Sequence, residues 1–137
     1  MKVYIAGPMS RLPQFNFPYF DGVAKLLREH GYTVVSPAEL DDDEFRARVM
    51  AHNITGFETD LLGAWADCLS RDVKLITDDG IEGIVLLHGW EKSRGAKLEA
   101  YVGLLNDLKF ALFDRREIGL VQPVSRQYVL DMIGKNT

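Results

Sequence analysis

The sequence predicts an α/β fold, a doubly wound and mostly parallel sheet of four to five strands flanked by helices. Three observations predict it: short apolar runs too compact for helices, amphipathic stretches of helical period between them, and Gly, Pro or Ser turns at the changeovers. Val3-Tyr4-Ile5-Ala6 does not alternate, so it reads as a first strand buried on both faces. The turn Gly7-Pro8-Met9-Ser10-Arg11 follows, with Gly and Ser able to bring backbone N–H groups close to an oxyanion. Asn16 then reads as an N-cap, with Pro18 in the first turn and Phe17, Phe20, Val23, Ala24 and Leu27 at helical spacing. His30-Gly31 ends that helix. Thr33 to Val35 is a short second strand closed by Ser36-Pro37.

The acidic run from Glu39 to Glu44 and the mixed segment up to Phe57 read as a partly helical excursion. From Thr59 to Ile76 the residues Leu61, Leu62, Trp65, Cys68, Leu69, Leu75 and Ile76 form one helical stripe, and Asp72 lies on it. A carboxylate on an inward face must be paired, hydrogen-bonded or in a cleft. Thr77-Asp78-Asp79-Gly80 is a turn, Gly83 to Leu87 a third strand, and Gly95 to Lys109 a helix. Phe110 to Phe113 is a fourth strand, Gly119-Leu120-Val121 a short edge, and Ser125 to Ile133 a terminal helix. This β-α alternation is that of a Rossmann-like or flavodoxin-like sheet.

A chain of 137 residues holds one core, and a single domain over 1–137 is expected. The 47% apolar and 26% charged composition is that of a soluble globular protein without a membrane span. No signal-peptide pattern follows Met1-Lys2. A net charge of -4 argues against nucleic acid as a partner but allows a small anion held by local positive groups. The lone Cys68 fits a reducing cytoplasm, and His30, His52 and His88 are too scattered for a metal site. No cofactor is expected.

The stretch from Gly89 to Glu99, Gly-Trp-Glu-Lys-Ser-Arg-Gly-Ala-Lys-Leu-Glu, leaves the third strand and opens a helix. Open α/β sheets bind ligands at such a carboxyl-end turn. Ser93 reads as the N-cap, so Ser93, Arg94 and Gly95 offer a hydroxyl, a guanidinium and backbone N–H groups at the positive end of the helix dipole. Glu99 follows four residues after Gly95, about 6 Å along the axis, with only Gly95 and Ala96 beneath it. It is expected to face space. Two carboxylates, Glu99 and Asp72, beside a phosphate pocket suit cleavage of a glycosidic bond in a nucleotide. The plain alternatives are a solvated Glu99, an Asp72 paired with Arg71 or Arg94, a core Tyr4, and Trp65 and Trp90 as packing residues.

Tyr4-Ile5-Ala6-Gly7-Pro8-Met9-Ser10, Asn16-Phe17-Pro18, Ser36-Pro37-Ala38-Glu39-Leu40, Ser70-Arg71-Asp72 and the Leu87 to Glu99 stretch together resemble the nucleoside 2-deoxyribosyltransferase-like superfamily. The likeness is to a small phage and bacterial branch of largely unassigned function, related to the 2′-deoxynucleoside 5′-phosphate N-hydrolases, and runs from Lys2 to about Phe113. The resemblance implies Glu99 as nucleophile, Asp72 as the group that helps the base leave, and Tyr4 near the sugar or nucleophile. It implies a 5′-phosphate held by Ser93 with the loop Gly7, Pro8, Met9, Ser10 and Arg11; the turn itself adds Gly89, Trp90, Arg94 and Gly95 as substrate-binding candidates. Glu82 stands where an acidic pocket residue often precedes the third strand, with Asp the more usual, and His88 where Pro is common. The expectation is an N-glycosidase or deoxyribosyltransferase acting on a deoxynucleoside 5′-monophosphate, as a homodimer. The alternatives are a non-catalytic nucleotide-binding module and an interaction protein whose anion turns are incidental.

Overall fold

In the computed structural model of the chain the described residues are 1–9, 12–40, 62–78 and 80–137, with side chains described for all of these except 62–68 and 78. Five strands form one sheet: β1 (Lys2–Ala6), β2 (Thr33–Val35), β3 (Gly83–Leu86), β4 (Lys109–Phe113) and β5 (Val121–Val124). Their order is β2-β1-β3-β4-β5, parallel except for the antiparallel edge β5. Four helices flank it: α1 (Phe17–Glu29), α2 (Leu62–Asp78), α3 (Arg94–Leu105) and α4 (Arg126–Lys135). The doubly wound α/β expectation is met.

Strand residues divide between two cores because successive side chains point to opposite faces. Val3, Ile5, Val34, Val85 and Leu87 meet Phe17, Phe20, Val23, Ala24 and Leu27 of α1. Tyr4, Ala6, Ile84, Leu86 and Phe110 meet Ile76, Ala96, Ala100, Leu104 and Val129 from α2, α3 and α4. All five apolar positions expected to form the inner stripe of α1 are buried. Each such side chain contributes roughly 1.5–3 kcal/mol when fully removed from water.

Several boundaries differ from expectation for local reasons. Asn16 precedes α1 but does not cap it: Gln14, Phe15 and Asn16 are left-handed, at φ 55, 52 and 61, and the Asn16 Nδ2 instead donates to Pro8 O at 3.0 Å. The Asn therefore ties the first loop to the helix start. Helix α2 continues through Thr77 and Asp78, and Thr77 Oγ1 donates back to the carbonyls of Val73 and Lys74. Helix α3 stops at Leu105 rather than Lys109, because Asp107 turns left-handed at φ 57 and Lys109 already pairs with Gly83 in the sheet. The edge strand begins only at Val121, since Gly119 and Leu120, at φ 82 and 69, form the turn before it. Pro123 lies in that edge strand, where a missing N–H blunts further pairing. Leu61, Asp79 and the expected excursion from Asp41 to Phe57 lie outside the described residues, as do the side chains of Leu62, Trp65 and Cys68.

Two features position the site. Strand β1 lies directly beside β3, with Ile5 opposite Val85 and Ala6 opposite Leu86, so the loops leaving both strands share the carboxyl edge. The order in which strands are added reverses at this pair, β2 lying on one side and β4 on the other, the switch point where such sheets bind ligands. Small residues then let α3 press close: a Cβ on Gly103 would stand 2.5 Å from Ile84 Cδ1 and 3.1 Å from Phe110 Cζ. Gly103→Ala is expected to destabilise the fold by about 1–3 kcal/mol through overpacking. Urea unfolding checks this, as a lower midpoint at unchanged slope.

Candidate functional site

The Gly7 loop and the Ser93 loop touch. A Cβ on Gly7 would stand 2.8 Å from Leu87 Cβ, and one on Gly89 would stand 3.3 Å from Pro8 Cγ, so both glycines are required by close approach. Leu87 N donates to Ala6 O at 2.9 Å, extending the β1–β3 pairing into the loops. After Gly89, left-handed at φ 85, Trp90–Lys92 make one 3₁₀ turn and α3 begins. Ser93 is its N-cap as expected, the Oγ accepting from Ala96 N at 3.2 Å. Acceptance leaves the hydroxyl proton able to donate to an anion. Gly95 N–H, in the first turn, points out of the helix start.

One turn further on, Glu99 departs from expectation. It does not look into space: it is 5% exposed, and the Tyr4 hydroxyl donates to its Oε2. Tyr4 itself is fully buried on the central strand, as the core reading and the functional reading both require. Asp72 arrives from α2, 6% exposed, close enough for its charge to act on both Glu99 and Tyr4. Helices α2 and α3 bring the two acids together because Leu69, one turn before Asp72, meets α3 at Gly95, one turn before Glu99. Three ionisable side chains thus occupy one nearly dry spot.

Their partners differ. Arg71 donates to Asp72 Oδ1 from Nε at 3.1 Å and from Nη2 at 3.0 Å. Of the two arginines weighed for Asp72, Arg71 makes this ion pair. Glu99 has the Tyr4 hydroxyl and a second carboxyl instead of a cation. Burial, then the Asp72 charge, push the Glu99 carboxyl well above the ordinary carboxylate range, while the Tyr4 hydrogen bond and the more distant Arg71 oppose this. Burial, then the charges of Glu99 and Asp72, likewise raise the Tyr4 phenol well above its usual value. A Glu99 pushed toward its protonated form beside an Asp72 held by a cation is the reverse of the charge order that a Glu99 nucleophile and an Asp72 acid need at the moment of reaction.

Not every sequence candidate joins this cluster. Glu82 is exposed at the opposite, amino edge of the sheet, where Lys2 N donates to its Oε1 at 3.1 Å. Roughly 13 Å of strand separates it from the carboxyl-edge loops. Trp90 is buried at 2%, its ring packed in the second core with Tyr4 and Ala96. Met9 packs against the first core. Gly7, Pro8, Gly89, Ser93 and Gly95 do line the carboxyl edge, and Arg94 is exposed there. Ser10 and Arg11 lie outside the described residues. Arg71 is the site member that sequence reasoning kept only as a possible partner; its signal was adjacency to an inward-facing carboxylate. Among the described residues no group of three His, Cys, Asp or Glu could hold a metal ion. Nor is any described helix long and apolar enough to cross a membrane.

Residues 1–111 match the family model described as Domain of unknown function (DUF4406). The chain belongs to this family. The DUF4406 span takes in Tyr4, Arg71, Asp72, Ser93 and Glu99, and leaves β5 and α4 outside it. No curated protein and no solved structure matches the chain.

A raised Glu99 value has a thermodynamic consequence with a definite sign. Above 4.5, the ordinary value of a glutamate carboxyl, the unfolded chain releases the Glu99 proton while the fold retains it, so stability falls as pH rises through that window. Glu99→Gln, which mimics the protonated acid, is expected to melt higher than wild type at neutral pH, with the gap closing as pH falls below that value. Melting curves across the acid-to-neutral range check this, and a gap that widens toward acid contradicts it.

Proposed function

We propose that the protein cleaves the N-glycosidic bond of a deoxynucleoside 5′-monophosphate through a covalent glycosyl-enzyme intermediate. The observation that carries the reading is the buried Tyr4–Glu99–Asp72 cluster, one helical turn from the capped start of α3. Buried acids with perturbed proton affinities beside an anion-compatible turn are the usual mark of a functional site. Glu99, as carboxylate, attacks C1′ while the C1′–N bond breaks, and Asp72 gives its proton to the departing base. Water or a second base then attacks C1′ and releases Glu99, Asp72 taking the proton back. Tyr4 holds the Glu99 oxygen in position.

Ser93 and the Gly7 loop receive the 5′-phosphate in this scheme, with Gly95 N–H at the positive helix end. Retaining glycosidases hold their two carboxyls about 5–5.5 Å apart, and the sugar takes its place between Glu99 and Asp72. The setting is a reducing cytoplasm, which the lone Cys68 fits. A homodimer is part of the proposal: Leu98, Tyr101 and Leu105, spaced along the outer face of α3, are 39%, 45% and 67% exposed. Sedimentation is expected to give a dimer; a monomer at micromolar concentration contradicts it.

A second reading is a non-catalytic nucleotide-binding module, favoured by the burial and retained proton of Glu99. Chromatography of a deoxynucleotide panel incubated with the protein separates the two. Free base is expected from wild type and at least about a thousandfold less from Glu99→Ala, the scale of losing a nucleophile. Stable binding of the intact nucleotide without base release supports the module and contradicts the enzyme.

A further inference from the structure

The charge order of the two acids raises a problem that Arg71 answers, and the answer rests on the reading just given. Among the described residues the titratable and charged groups facing Glu99 are Tyr4 from β1 and Asp72 and Arg71 from α2. Both Arg71 contacts fall on one oxygen of Asp72, at 3.0 and 3.1 Å, and Arg71 keeps 30% side-chain exposure against 9% for Asp72. The guanidinium therefore reaches outward from the dry cluster and binds only one of its two acids. An ion pair with good geometry favours the ionised form of the group it touches. Two neighbouring carboxyls buried in one dry site cannot both ionise cheaply, so one proton is held between them.

We propose that Arg71 is the positioning residue of this dyad: its ion pair makes Asp72 the carboxylate and leaves the single proton on Glu99, and breaking that pair lets the proton cross to Asp72. The transfer breaks the Glu99 O–H bond and forms an O–H bond on Asp72. The net charge of the pair is unchanged and no other reactant is needed. One proton movement thereby creates both the nucleophile and the acid that glycosidic cleavage requires.

Carboxyl-carbon NMR of the carbon-13-labelled full chain reads the proton positions directly, with Glu99→Gln and Asp72→Asn assigning the two resonances. At neutral pH wild type is expected to show Glu99 protonated and Asp72 ionised. Arg71→Met is expected to raise the protonated fraction of Asp72 severalfold at the expense of Glu99, and Arg71→Lys to restore most of the wild-type distribution. A merely structural arginine would change the melting temperature of Arg71→Met and leave the proton where it was, which overturns the proposal. So does a wild type with the proton on Asp72 or with both acids ionised, and this arm decides even where Arg71→Met does not fold. The readout needs no turnover, so absence of base release sinks the glycosidase reading alone, while an unmoved proton sinks only the role of Arg71.

Discussion

The contact between the Tyr4 hydroxyl and Glu99, made where β1, α2 and α3 meet, constrains the rest of the molecule. A helix can bring a glutamate to a central strand only if nothing bulky intervenes, and α3 meets this with Gly95, Ala96, Ala100 and Gly103. A buried acid must also be given partners, because stranding a charge in the core is expensive. The fold supplies a phenol from the sheet, a second carboxyl from α2, and through that carboxyl the guanidinium of Arg71. Tyr4, Glu99 and the adjacent Arg71–Asp72 pair thus come from three different regular elements.

Topology places this cluster near the switch point of the sheet, where folds of this class bind ligands. Crossing from β2 past β1 to β3 reverses the winding, and the loops after β1 and β3 meet at that reversal, Pro8 against Gly89 and Gly7 against Leu87. The capped start of α3 and Glu99 then stand on successive turns of one helix. A purely structural polar cluster explains the burial but not the combination of two acids, an outward arginine and a capped helix start at a switch point. The partners of the two acids differ as well: Asp72 has the guanidinium of Arg71, and Glu99 has the hydroxyl of Tyr4.

Most of the architecture was legible because it rests on periodicity. The five inner residues of α1, the non-alternating Val3 to Ala6 and the Ser93 cap follow from spacing and capping chemistry alone. Errors fell where a long-range contact outweighs a local signal. Asn16 has cap chemistry but bonds Pro8, and three left-handed residues carry the chain into α1, which no pattern in Pro13 to Asn16 announces. The end of α3 was set by the pairing of Lys109 with Gly83 rather than by helix propensity. At the site, residue types and turn spacing pointed to Glu99, Asp72 and Ser93, but not to what fills the space over Gly95. Strand adjacency decides that, by placing Tyr4 beneath α3, and it also leaves Glu82 at the far edge.

The central claim is that Glu99, buried and protonated at rest, becomes the group that bonds to the sugar carbon. Acid quenching of the protein during incubation with a deoxynucleoside 5′-monophosphate, followed by peptide mass spectrometry, tests this most directly. The account expects a deoxyribose-phosphate mass gain on the peptide that carries Glu99. Base release with no modified peptide, or with the mass on the peptide carrying Asp72, contradicts it.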